Sequence, residues 1–112
     1  MKVDLSQDGL PMFFKDWQIP IINELLSKAQ EWKTAEVYEY VNGLLPEGRS
    51  ISRASVIFFL RDMAEENLFE YKEETGKGGH HRVYWGVMTV PEFLECARCK
   101  FNEKIDEMLG NE

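Results

Sequence analysis

Four side chains that often bind metal ions lie in two pairs in the second half of the sequence. One pair is His80-His81 and the other is Cys96 and Cys99, at positions i and i+3. Together they contain the imidazole and thiolate ligands of tetrahedral zinc sites. Zinc-binding cysteine pairs usually lie on turns, whereas the pattern around Cys96 and Cys99 is helical and places both thiols away from the apolar stripe. The sequence therefore predicts no cofactor, and a metal or redox sensor that uses these four residues is an alternative.

A second group of candidate residues is basic. The net charge is −7, yet segments 48–61 and 75–83 contain several basic residues and no Asp or Glu. A chain this acidic is not expected to coat nucleic acid or anionic membranes without selection. One basic face can still bind DNA phosphates while neighbouring side chains read base edges. The candidate DNA-binding residues are Arg49, Ser52, Arg53, Ala54, Ser55, Ile57, Phe58, Arg61, Lys77, His80, His81 and Arg82.

The sequence lacks the residue patterns of catalytic sites. It contains no recognisable serine, histidine and aspartate arrangement, no phosphate-binding loop and no carboxylate pair in a predicted cleft. His80 and His81 fall in a glycine-rich segment, whereas a general base needs a fixed position relative to its substrate. We therefore expect a protein that binds a partner and is not an enzyme.

Length and composition are typical of one folded cytoplasmic domain. The 112 residues are 44% hydrophobic, enough for a single core, and no stretch approaches the ~20 apolar residues that span a bilayer. Two closely spaced cysteines do not form a disulfide framework, and the first residues do not resemble a signal peptide. The sequence therefore predicts a cytoplasmic protein that does not bind membranes.

Apolar residues spaced three and four apart predict two helices before the first basic segment. The first begins near Asp16 as its N-cap and runs to about Gln30, with Pro20 in the first turn, where proline is tolerated. The second begins at the N-cap Thr34, and Pro46 follows its end.

A third helix is predicted from Ser52 to about Asn67, a residue that accepts the left-handed conformation at a helix end. The predicted outer face carries Ala54, Phe58, Arg61 and Glu65, flanked by Arg53 and Ile57. Arg53 suits the O6 and N7 acceptors of guanine, and Ile57 and Phe58 suit thymine methyl groups. Arg61 has the alternative of an ion pair with Glu65, four residues further along the helix. An exposed Phe is costly, so Phe58 has the alternative of packing against the N-terminal tail, with Phe13 and Phe14. The predicted inner stripe consists of Val56, Phe59, Leu60 and Met63.

The hydrophobic period then changes from helical to alternating. Segments 68–74 and 82–87 are rich in strand-forming residues, and the glycine-rich segment between them predicts a hairpin. Thr89 and Glu92 form a capping-box pattern that opens a last helix to Gly110. Its apolar stripe has little left to pack on once three helices have closed a core, so it predicts a two-fold dimer. The candidate dimer contacts are Phe93, Ala97, Phe101, Ile105 and Met108.

The order of these elements predicts an α+β, mainly α fold of the winged helix-turn-helix type. In this fold the third helix enters the major groove of DNA and the hairpin contacts the backbone. The predicted organisation is an N-terminal tail at residues 1–11, a winged-helix domain at 12–88 and a C-terminal dimerisation helix at 89–112.

The segment Ser52-Arg53-Ala54-Ser55-Val56, followed by Leu60, Met63 and Leu68 and later by Arg82-Val83-Tyr84, resembles the penicillinase-repressor family of winged-helix regulators. The resemblance covers about residues 16–109 and includes Pro91-Glu92-Phe93 at the start of the last helix. It implies a dimer formed through the C-terminal helix and a repressor that acts on inverted repeats.

The sequence also departs from that family at informative positions. Asp62 and Glu66 stand where the family usually has Arg and Lys, and Asn67 stands where it usually has Gly. The cleavable Asn-Phe bond of the beta-lactamase repressors appears in reverse as Phe101-Asn102. The paired cysteines in the tail of the copper-transport repressors are absent. The resemblance therefore implies DNA binding but no particular inducing signal.

The predicted function is sequence-specific binding of double-stranded DNA by a homodimeric transcriptional repressor. A winged helix that binds another protein through Ile57 and Phe58 is a further alternative. The total charge, together with Asp62 and Glu66, favours that alternative, whereas Arg53 and the acid-free hairpin segment favour DNA.

Overall fold

The chain folds into helices arranged around a small antiparallel sheet, a mainly helical α+β arrangement. The computed structural model describes residues 9–28, 30–76 and 79–110, without the side chains of Met12 and of residues 104–110. None of the described helices is both long and apolar enough to cross a membrane. The elements are α1 Leu10–Phe13, α2 Gln18–Ser27, β1 Trp32–Lys33, α3 Thr34–Leu44, α4 Arg53–Glu65, β2 Glu70–Gly76, β3 Gly79–Trp85 and α5 Val90–Gly110.

The sheet has the strand order β1-β3-β2, and both pairings are antiparallel. The predicted hairpin is present, with Glu70 opposite Trp85 and Gly76 opposite Gly79. The short strand β1 was not predicted, because two residues are too few to show an alternating pattern. It pairs Trp32 with Tyr84 and so attaches the hairpin to the chain between α2 and α3.

Several element ends follow local signals in the sequence. Pro20 lies in the first turn of α2, and the Ser52 hydroxyl caps α4 by accepting a hydrogen bond from the Ser55 N–H. Asn67 adopts a φ of 61° just after α4, as its residue type predicts. The Thr89 and Glu92 side chains form the predicted capping box, each bonded to the other's backbone N–H.

Two predicted N-caps are wrong by one position. Trp17 is the N-cap of α2, because the Asp16 carboxylate binds an arginine elsewhere, and α2 ends at Ser27. Thr34 is the first residue of α3, and the preceding Lys33 N–H donates to the Glu36 carboxylate at 2.8 Å.

Four aromatic rings from different parts of the chain meet in the core. The Phe93 ring of α5 lies 5.6 Å from the rings of Phe14 and Phe69, measured between centroids. Phe59 of α4 lies 6.3 Å from Phe69 and 6.5 Å from Phe14. We call Phe14, Phe59, Phe69 and Phe93 the aromatic cluster. It joins the α1–α2 connection, α4, the start of the hairpin and α5 in one core.

The first half of α5 therefore belongs to the hydrophobic core of this single chain. Phe93 and Ala97 are both 0% exposed, and Phe101 packs edge-on against Phe13 at 5.9 Å. This corrects the prediction that Phe93 and Ala97 are free to contact a second protomer. The side chains of Ile105 and Met108 lie outside the described residues.

Close backbone packing holds the connection between β3 and α5 against α2. A Cβ atom at Gly86 would lie 2.6 Å from the Leu25 carbonyl oxygen, so no larger residue fits there without displacing backbone. At the other end of the chain, Leu10 is buried although the sequence places it in the N-terminal tail. The core thus extends beyond both predicted borders of the 12–88 domain.

Truncating Phe93 tests whether α5 is part of the core. We expect Phe93→Ala to lower the free energy of unfolding by about 3–5 kcal/mol, because a buried ring leaves a cavity. Phe58→Ala is the matched control: the same atoms are removed from an exposed site, so the change should stay within about 0.5 kcal/mol. Chemical denaturation measures both. Similar small losses for the two variants would show that α5 does not pack on this core.

Candidate nucleic-acid interface

The two faces of α4 have the environments predicted from the sequence. Val56, Phe59, Leu60 and Met63 are buried against the rest of the chain. The opposite face presents Ala54, Phe58 and Arg61 at positions i, i+4 and i+7, all exposed, with Arg53 exposed and Ile57 half-buried beside them. We call Arg53, Ala54, Ile57, Phe58 and Arg61 the outer face of α4.

A side-chain clamp fixes the turn that leads into α4. The Asn42 amide of α3 accepts a hydrogen bond from the Ile51 N–H at 2.8 Å and donates to the Ile51 carbonyl oxygen at 3.2 Å. The same amide donates to the Tyr38 carbonyl oxygen at 2.9 Å. Because Ile51 directly precedes the N-cap Ser52, the Asn42 clamp sets where α4 begins relative to α3.

Arg49 serves the fold in a way that the sequence did not reveal. Its two terminal nitrogens donate to the two carboxylate oxygens of Asp16, each at 2.8 Å. This hydrogen bonding lowers the pKa of the Asp16 carboxyl and raises that of the guanidinium, so both groups remain charged. The predicted phosphate contact at Arg49 is therefore already engaged in joining the α3–α4 turn to the α1–α2 connection.

The two arginines of α4 are exposed and have no carboxylate partner among the described residues. The Arg53 guanidinium lies over the Tyr38 ring of α3, with its central carbon 5.3 Å from the ring centroid. Ser52 and Ser55 are bonded to each other, with 2.9 Å between their hydroxyl oxygens. Neither Arg53 nor Arg61 thus forms an ion pair with a described carboxylate, although Asp62 and Glu65 are exposed close to Arg61 along the helix.

Acidic residues of the opposite strand lie beside the basic residues of the hairpin. The strand register places Glu73 opposite Arg82 and Glu74 opposite His81. The Arg82 Nε lies 3.6 Å from the Glu73 carboxylate, and the His81 Nε2 lies 3.4 Å from that of Glu74. The acid-free segment 75–83 therefore acquires acidic neighbours from the opposite strand.

Two other predicted hairpin contacts have different environments. Arg82 also lies over the Tyr71 ring, with its guanidinium carbon 4.4 Å from the centroid, and is only partly exposed. His80 is exposed, and its Nδ1 lies 3.4 Å from the Thr75 hydroxyl. Lys77 falls outside the described residues.

The four candidate metal ligands are not brought together. Within the described part of the chain, no group of three or more His, Cys, Asp or Glu side chains is placed to hold a metal ion. Cys99 is exposed on α5, whereas Cys96 is half-buried against the core. Cys96, Cys99, His80 and His81 are therefore not grouped as one four-ligand site in the described part of the chain. The half-buried position of Cys96 also corrects the prediction that both thiols lie away from the apolar stripe.

The position of Phe58 resolves another alternative. Phe58 is 62% exposed, although its neighbour Phe59 lies in the aromatic cluster. Phe13 and Phe14, which were candidates to cover it, are buried against Phe101 and the aromatic cluster. Phe58 is therefore an exposed ring between two cationic side chains on the outer face of α4.

An open cleft lies away from α4, between the end of α2 and the β3–α5 connection. Its apolar lining includes Leu26, Val87 and Met88. Its two charged residues already have partners: Lys28 pairs with Glu24, and Glu92 bonds to Thr89. This cleft therefore offers no unpaired charged side chain from the described residues.

Sequence reasoning missed the residues that hold the candidate interface in place. Tyr38 and Asn42 lie on α3, where their residue types are those of an ordinary helix surface. Their partners, Arg53 and Ile51, follow only after the α3–α4 turn. Glu73 and Glu74 lie in the other predicted strand segment, 68–74, outside the acid-free stretch. Their pairing could have been found by counting outward from the hairpin centre, because an antiparallel register fixes which residues face each other.

Comparison of the chain with protein-family models, with curated proteins and with solved structures gives no match. Membership of the penicillinase-repressor family therefore stays a prediction from the quoted residues.

Proposed function

We propose that this protein is a winged-helix transcriptional regulator that binds double-stranded DNA sequence-specifically, as a homodimeric repressor on inverted repeats in the cytoplasm. The observation that carries the proposal is the outer face of α4, where Arg53 and Arg61 are exposed beside the small side chain of Ala54 and pair with none of the described carboxylates. The order of a helix pair, a hairpin and a β1 strand that pairs with the hairpin supports the fold assignment.

The outer face of α4 suits the major groove. A helix fits there, and its first turns contact base edges in helix-turn-helix proteins. Arg53, at the first position of α4, suits a bidentate contact to guanine, while Ala54 permits close approach. Ile57 and Phe58 offer apolar surface for thymine methyl groups. Arg61, two turns further along, suits a phosphate of the groove wall.

The charge distribution favours selective over general binding to DNA. Arg49 and Arg82 lie beside carboxylates, so they neutralise acids of the same chain. Long-range attraction to phosphates is weak when the net charge is −7. The affinity for DNA then depends on Arg53, Arg61 and the contacts to base edges. Lys77 remains a predicted phosphate contact from the sequence.

Binding to another protein is the second candidate function, and the exposure of Phe58 favours it. An aromatic side chain that is 62% exposed is typical of residues that anchor protein interfaces. Asp62, one position after Arg61, adds an acidic group that DNA phosphates repel. The two functions differ in what they require of Arg53, because base reading needs its charge and its hydrogen-bond donors.

Replacing Arg53 tests the proposed function. A duplex enriched by the wild-type protein from a randomised pool serves as the specific site, and a scrambled duplex of equal composition serves as the reference. We expect Arg53→Ala to weaken specific binding by roughly 1–3 kcal/mol and reference binding much less, since a base contact is lost. Titrations at several salt concentrations measure both affinities.

Arg98→Ala is the matched control, because it removes the same charge from an exposed position on α5. It should leave the ratio of the two affinities unchanged. An equal loss on both duplexes for Arg53→Ala would contradict base reading by α4. If the wild-type protein enriches no duplex and binds none at low salt, the DNA-binding proposal fails and the protein partner replaces it.

The proposed dimer depends on the second half of α5. Ile105 and Met108 continue the stripe of Phe93, Ala97 and Phe101 in the sequence. Phe93 and Ala97 are buried within the chain, and Phe101 is partly buried. We expect a dimer by sedimentation at tens of micromolar protein. Ile105→Asp combined with Met108→Asp should give a folded monomer, because Phe93 and Ala97 still anchor α5. A monomeric wild type would contradict the dimer.

A further inference from the structure

We propose that Tyr38 is a positioning residue for DNA recognition: its ring holds the Arg53 guanidinium in the orientation that reads a base. This inference rests on the proposed function and adds a specificity determinant outside α4. The juxtaposition is direct, since the guanidinium carbon lies 5.3 Å from the centroid of the Tyr38 ring.

A ring is a suitable partner for an arginine that must read a base. A carboxylate that binds a guanidinium uses its N–H donors, as Asp16 does with Arg49. An aromatic face attracts the cation through its π electrons and leaves the N–H groups in the guanidinium plane free. Tyr38 therefore restricts the motion of Arg53 without using the donors that a guanine needs.

The contacts of Arg82 and Arg49 differ in this respect. Arg82 lies over the Tyr71 ring but also has the Glu73 carboxylate at 3.6 Å from its Nε. Arg49 has the carboxylate of Asp16 at 2.8 Å. Among the described residues, Arg53 combines an aromatic partner with the absence of a carboxylate partner.

The Tyr38 ring is itself held in a defined position. Tyr38 is half-buried on α3, and its carbonyl oxygen accepts a hydrogen bond from Asn42. The same Asn42 amide binds both backbone groups of Ile51, two residues before Arg53. The Asn42 clamp thus sets the Tyr38 backbone and the start of α4 relative to each other, and packing against the core restricts the Tyr38 ring. Arg53 would lose less side-chain freedom on binding than an arginine without such support.

Two substitutions of Tyr38 separate the ring from the rest of the side chain. Tyr38→Leu removes the aromatic face, whereas Tyr38→Phe retains it and removes only the hydroxyl. We expect Tyr38→Leu to weaken binding to the enriched duplex about two- to fivefold, as exposed cation–π contacts do, with little change on the scrambled duplex. Tyr38→Phe should resemble the wild type. In an Arg53→Ala background, Tyr38→Leu should have no further effect.

A measurement on the free protein tests the contact without DNA. The ring current of Tyr38 should shift the Arg53 side-chain proton resonances upfield, and this shift should persist in Tyr38→Phe and vanish in Tyr38→Leu. Thermal unfolding checks that each variant folds. If Tyr38→Leu does not fold, Tyr38→Met replaces it as the variant without a ring.

The possible failures are distinguishable. If Arg53→Ala reduces specificity but the ringless variant does not, the role of Tyr38 is wrong and the proposed function stands. The same loss from the ringless variant with and without Arg53 would show that Tyr38 acts independently. An equal loss in Tyr38→Phe would assign the effect to the hydroxyl. If the wild-type protein binds no duplex, both proposals fail.

Discussion

The contact between the rings of Phe14, Phe59, Phe69 and Phe93 is the constraint on which the other features of the structure depend. These rings come from four separate segments, and their centroids lie 5.6 to 6.5 Å apart in the contacts described above. Rings at such separations contribute packing energy beyond the area that they bury. The aromatic cluster fixes the rotation of α4 about its axis, because Phe59 points into it. Phe58, the preceding residue in the helix, then lies at the surface.

The position of α4 along its axis is fixed by polar contacts. The Asn42 clamp holds the residue before the N-cap, and the pair of Arg49 with Asp16 ties the turn to the α1–α2 connection. The first contact joins residues 9 positions apart in the sequence and the second joins residues 33 positions apart. Because Arg49 and Asp16 are exposed, their main effect is on geometry, since exposed ion pairs add little stability. Together these contacts and the aromatic cluster present the outer face of α4 in one orientation.

Local patterns in the sequence predicted much of the fold. The two faces of α4, its Ser52 cap, the left-handed Asn67 and the capping box of α5 all depend on residues within one or two helical turns. Long-range contacts were not predictable in this way. Asp16 has the residue type of an N-cap, but a better partner in Arg49 lies 33 positions away. The sequence predicted no partner within the chain for the apolar stripe of α5. Phe93 of that stripe packs on Phe14 and Phe69, which come from distant segments of the sequence.

The candidate site was predictable to a similar extent. Sequence placed Arg53, Ala54, Phe58 and Arg61 on one exposed face, where the structure also has them. The prediction of a basic hairpin surface was wrong, because an acid-free stretch of sequence does not reveal which residues face it from the opposite strand. Glu73 and Glu74 reach Arg82 and His81 only through the antiparallel register. A basic segment is therefore informative about binding only after its neighbours in space are known.

Contact between the outer face of α4 and duplex DNA can be tested by amide chemical-shift mapping. Isotope-labelled protein is titrated with the enriched duplex, and each backbone resonance is followed. We expect the largest saturable shifts from Ser52 to Arg61, with smaller ones in the hairpin near Gly76 and Gly79. Shifts confined to the cleft near Val87, or no saturable shifts at low salt, would contradict it.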